Sequence, residues 1–166
     1  MTRLDNVIRR TETLVVWLAA AGAGIILVQM LWISYGVFTR YALNSPDRMV
    51  TEATALLLFP VAFAGLAYAL REDAYPRVTL LTDRLPAPGR KAIMILNLAL
   101  MLGVGLFFAI SAVNATVRAY GSGSSSEILL WPRWMFWAPG AVSLVLFTFY
   151  AGLRLAKAVK TPAEEV

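Results

Sequence analysis

Arg40-Tyr-Ala-Leu-Asn-Ser-Pro46 and Leu70-Arg-Glu-Asp-Ala-Tyr-Pro-Arg77 enclose an apolar segment that opens after Glu52 and contains Pro60 and Gly65. Between these charged, proline-marked borders, Ala53 to Leu70 holds eighteen residues without a charge. At about 1.5 Å of rise per residue, a helix of that length nearly covers the roughly 30 Å hydrocarbon core of a bilayer. The segment therefore reads as a membrane span. Outward from it, the runs Thr13–Thr39, Ala92–Val117 and Trp134–Leu153 are likewise free of charge. Each is long enough to span, and little more than connections remains.

The expected fold is thus an all-α integral membrane protein with four transmembrane helices, at about 14–38, 50–70, 92–117 and 134–155. Residues 1–166 form a single membrane domain. Composition agrees: 59% of residues are hydrophobic, 15% are charged, and the mean hydropathy is +0.67. Lys and Arg outnumber acids 15 to 10, but the excess sits at span borders, where it sets topology rather than binding nucleic acid. Eleven Lys and Arg lie in the N-terminus, the 71–91 connection and the C-terminus, against four (Arg40, Arg48, Arg118, Arg133) in the other two loops. That asymmetry places both termini in the cytoplasm.

Cysteine and histidine are absent. This removes disulfides, His-held haem, the commonest zinc ligands, and Ser–His or Cys–His nucleophile pairs. No Asp, Glu, Lys or Arg lies deep in a span, where ion-coupled carriers and voltage sensors usually place them. No internal repeat offers two halves to rock about a central site. The chain reads as neither an enzyme nor a cofactor or metal binder, but as a membrane subunit that supports a partner.

Residues 1–12 form a short polar lead; cleavage as a signal peptide is disfavoured because the apolar run after Thr13 exceeds an h-region. Ala20 and Gly24 make a small-xxx-small pair, and Gln29 is positioned to hydrogen-bond a neighbouring helix. Ser45, Pro46 and Asp47 suit a helix start, with Arg48 and Glu52 one turn apart. Pro60 predicts a kink, as does Pro139-Gly140. Val78, Leu81 and Leu85 recur at amphipathic spacing, predicting a short interfacial helix between spans two and three, stopped by Pro86-Ala-Pro-Gly89. Gly103 and Gly105 lie in the centre of span three. The Gly- and Ser-rich stretch 118–127 predicts a flexible loop, and Trp131, Trp134, Phe136 and Trp137 an aromatic belt.

Arg40-Tyr, Asn44-Ser-Pro46, Glu52, Gly65, Arg71-Glu72 and Arg77-Val78 together resemble the small membrane subunit of TRAP (tripartite ATP-independent periplasmic) transporters. Leu81-x-Asp83-x-Leu85-Pro86 and the Ile128–Pro139 region are similar to further family segments. Met49 stands where a Trp is usual, Thr51 where a second acid is common, and Tyr75-Pro76 where the family carries a His-Ile or His-Val pair before Arg77. The resemblance implies a three-part importer. A periplasmic solute-binding protein delivers an organic acid, a large membrane subunit carries it with sodium, and the small DctQ-like subunit scaffolds the large one among membrane lipids. Under this reading Arg40, Arg48, Glu52, Gly65, Arg71, Glu72 and Arg77 are subunit-interface or structural border residues. Asp47, Arg118, Glu127 and Arg133 become candidates for docking the binding protein. Glu52 is expected to pair with Arg48 or Arg40, or to fix the join to the large subunit. An autonomous small channel or exporter and a membrane anchor for an enzyme complex remain as alternatives.

Overall fold

The computed structural model describes residues 3–45, 48–75 and 85–162. They form five helices: α1 (Arg3–Ala42), α2 (Arg48–Ala64), α3 (Leu66–Arg71), α4 (Ala87–Gly121) and α5 (Trp134–Lys160). Helices α2 and α3 make one span broken at Gly65, so four segments are long and apolar enough to cross a membrane. The four-span, all-helical reading holds. Asp47, Arg77, the Pro46 helix start and most of the interfacial helix fall outside the described residues.

Helix ends differ from expectation. The polar lead is not separate: α1 runs unbroken from Arg3, because Ile8 and Val15 are buried on one face of it. Thr11 and Thr13 donate to the carbonyls of Val7 and Arg9, keeping their hydroxyls on the helix. Helix α4 starts at Ala87, inside the Pro86–Gly89 stop, since prolines fit a first turn whose N–H groups lack partners anyway. It then runs to Gly121. The second span is interrupted not at Pro60, which sits buried inside α2, but five residues later at Gly65, where no side chain adds to the helix. Helix α5 passes through Pro139 without a break.

Helix α5 is the pillar. In its most apolar stretch 44% of residues are buried, against 11% in α1. Helices α1, α2, α3 and α4 each pack on it, while the backbones of α1 and α4 stay apart. Toward the termini, Val15, Ala67, Leu70, Leu98, Phe147, Tyr150 and Ala151 pack as one cluster; nearer the other end Ala109, Ala112, Ala141 and Leu144 pack beneath Phe59 and Phe63. Lipid tails are as apolar as these side chains, so close van der Waals fit rather than burial from water decides such packing. Small residues permit it. A Cβ on Gly22 would strike Ala64, one on Gly36 would press on Val50, and one on Gly140 would run into the Phe59 ring. Gln29 donates its amide to the Thr54 carbonyl at 3.3 Å, the interhelical bond expected of it.

Candidate functional site

At the end of the bundle away from the termini, the first turns of α2 project Glu52 toward the loop between α4 and α5. Its Oε1 accepts hydrogen bonds from the backbone N–H groups of Glu127 (2.7 Å) and Ile128 (3.0 Å). Its Oε2 accepts from Ile128 (3.1 Å) and Leu129 (2.6 Å). An ionised carboxylate only accepts, and three consecutive amides form an anion-binding concavity. The partner of Glu52 is therefore a peptide segment of its own chain. Among the described residues it makes no ion pair with Arg48 or Arg40, both of which are exposed.

The loop that meets Glu52 is built, contrary to the flexible segment its composition predicts. Ser126 N–H donates to the Trp131 carbonyl at 2.9 Å, Trp131 N–H to Ser126 Oγ at 3.1 Å, and Arg133 N–H to the Ser124 carbonyl at 3.0 Å. Ser125 and Pro132 pair across this miniature hairpin. Gly123 and Leu130 turn the chain with φ of 62° and 55°, a conformation that a non-glycine residue adopts only under local constraint. Trp131 stacks on Phe136 and Trp134 meets Tyr120 edge-on, so the aromatic belt also braces the loop. Glu127, Arg118 and Arg133 are exposed at this end; Arg118 Nε donates to the Asn114 carbonyl at 3.3 Å, one turn back.

At the terminal end, a polar network ties the spans together. Arg154 donates to the Leu70 carbonyl at 2.7 Å and reaches both Asp73 oxygens at 3.2 and 3.4 Å. Tyr150 donates to Glu12 (3.1 Å), Lys157 pairs with Asp5 (3.6 Å), and Lys91 donates to the Val159 and Thr161 carbonyls (3.3 and 2.7 Å). Arg71 bonds the adjacent Glu72 (2.9 Å) and lies over the Tyr68 ring. Tyr75 donates to the Leu66 carbonyl at 3.0 Å, and burial pushes its phenol above the ordinary tyrosine range. Of the expected border residues, the structure joins Glu52 to Glu127, and Arg71 to Glu72. Arg40 and Arg48 stay apart from Glu52. Arg154 shows in the sequence only as a helix-end cation, and its role as clasp depends on a carbonyl that no motif marks.

Four membrane-spanning segments, a latched loop at one end and a charged clasp at the other define an all-helical membrane protein. Residues 29–161 match the family described as "Tripartite ATP-independent periplasmic transporters, DctQ component", and the chain belongs to that family. Its setting is the bacterial inner membrane. It is 27% identical over 139 residues to the ectoine TRAP transporter small permease protein TeaB of Halomonas elongata, covering 82% of this chain and 68% of the relative. It is 24% identical over 89 residues to the sialic acid TRAP transporter small permease protein SiaQ of Vibrio cholerae, covering 53% and 51%. No solved structure matches the chain significantly.

Proposed function

We infer that the chain is the accessory small subunit of a TRAP-type importer, pairing with a large membrane subunit that couples sodium to the uptake of an organic acid delivered by a periplasmic solute-binding protein. The observation that carries this reading is the division of labour within the bundle. Packing inside the chain is concentrated on α5, while α1 and α4 present long apolar faces left exposed among the described residues, from Leu27 and Leu31 to Val104 and Phe107. Membership of the DctQ component family over residues 29–161 supports a protein partner, and those faces leave room for it to pack laterally in place of lipid. The two relatives are named for different solutes, ectoine and sialic acid, which favours substrate choice elsewhere in the assembly.

In this reading both termini are cytoplasmic and the loop held by Glu52 faces the periplasm. Glu52 then acts on the assembly indirectly, by fixing the surface that carries Glu127 and Arg133. Reconstitution tests the proposal. Sodium-gradient-driven uptake of an organic acid into liposomes should require this chain, the large subunit and the binding protein together. Uptake by liposomes holding this chain alone would replace the accessory reading with that of an autonomous carrier.

A further inference from the structure

Because α1 and α4 both pack on α5 while their backbones stay apart, the face of α5 between them is open. The opening is a groove of about 740 Å³, walled by Trp17 and Ala21 of α1, Val113 and Val117 of α4, and Val142 and Phe149 of α5. Of its wall residues, Thr116 donates its hydroxyl to the Ala112 carbonyl of its own helix at 2.8 Å, and Trp17 carries the one other polar group, its indole N–H. The other wall side chains are all apolar. Along α5 the groove runs from Ala138 to Phe149, about 16 Å at roughly 1.5 Å per residue, which is close to one leaflet of a core about 30 Å thick. An apolar groove about one leaflet long suits a hydrocarbon chain lying along α5.

Its mouth toward the termini is positive. Residues 10, 14, 17 and 21 form one stripe of α1, placing exposed Arg10 one turn beyond Leu14. On α5 the stripe 149, 153, 156 and 160 places exposed Lys160 in line with the same groove. Neither cation makes an ion pair among the described residues. We propose that the groove holds one acyl chain of an anionic phospholipid, its headgroup met by Arg10 with Lys160 adding to the positive field.

The full chain, purified in mild detergent and incubated with phosphatidylglycerol or phosphatidylcholine, gives a direct reading by native mass spectrometry. One phosphatidylglycerol should be retained per chain in preference to phosphatidylcholine. Arg10→Ala should weaken that retention about fivefold, the equivalent of about 1 kcal/mol per basic residue at a membrane surface. Ala21→Trp and Val142→Trp, which fill the slot without touching the mouth, should reduce retention of both lipids, and unchanged helical circular dichroism confirms folding. Equal retention of the two lipids, or retention indifferent to the slot-filling changes, overturns the proposal. So does a Leu18→Cys probe that cross-links to the large subunit in the complex, which would make the groove a protein interface.

Discussion

Glu52 concentrates the chemistry of one end of the molecule in a single side chain. Its two oxygens hold three successive amides that lie 75 to 77 residues away in the chain. The sequence marks it as important, an acid at the opening of a span inside a recognisable border, but not what it binds. A backbone amide has no residue type, and a Gly- and Ser-rich stretch shows nothing of the hydrogen bonds that fold it. Arg154 was hidden for the same reason, since its shortest bond is to the Leu70 carbonyl; charged hydrogen bonds of this kind are worth about 1.5–3 kcal/mol. For Glu52 the expected outcome is specific. Glu52→Gln keeps the size but turns one acceptor into a donor facing an N–H. Amide hydrogen exchange at Glu127, Ile128 and Leu129 should quicken, while exchange in α5 stays as it was. If those three amides keep their protection, the Ser124 and Ser126 bonds hold the loop unaided and Glu52 is dispensable to its shape.

At the scale of helices, hydropathy marked the spans because charge is confined to their borders. Helix ends were less visible: the α1 extension depends on tertiary burial of Ile8 and Val15, and the break at Gly65 competes with a proline that looks the stronger breaker but is held in place by packing. Small residues show the same limit. Gly103 and Gly105 look equivalent in the sequence, yet Gly105 faces Phe147 and Thr148, where a Cβ would lie 3.0 and 2.9 Å away, and Gly103 faces open space. Ala20 and Gly24, the pair that advertises close packing, lie on an exposed face, while Gly22 makes the tight approach. Gly105→Ala should therefore destabilise the folded chain by about 1–3 kcal/mol through overpacking. Gly103→Ala should be neutral or stabilising by about 0.5–1 kcal/mol, because it removes a glycine from a helix interior. Unfolding in a denaturing detergent titration separates the two; equal midpoints would mean that α4 and α5 are not held at this contact.

For the whole molecule, four spans fix that the termini share one end, and the structure bears on which membrane face that is only through charge. The terminal end gathers Arg9, Arg10, Arg71, Arg90, Lys91, Arg154, Lys157 and Lys160 among its described residues, and the Glu52 end Arg40, Arg48, Arg118 and Arg133. Some terminal cations are occupied within the fold, as in the Lys157–Asp5 pair and the Lys91 bonds to carbonyls. Occupation does not cancel their effect, because the rule that positive loops stay inside acts while the chain inserts, before such pairs form, and acids contribute little to it. The Glu52 loop should therefore face the periplasm. The chain has no cysteine, so single ones report cleanly. Ser124 lies in the loop and Asn6 in the exposed first turns of α1. A membrane-impermeant thiol reagent added to intact spheroplasts should label Ser124→Cys within the time that leaves Asn6→Cys untouched, and permeabilisation should expose the latter. The reverse labelling would put the latched loop in the cytoplasm, where it could not meet a periplasmic binding protein, and that part of the proposed function would fall while the fold and the lipid groove stood.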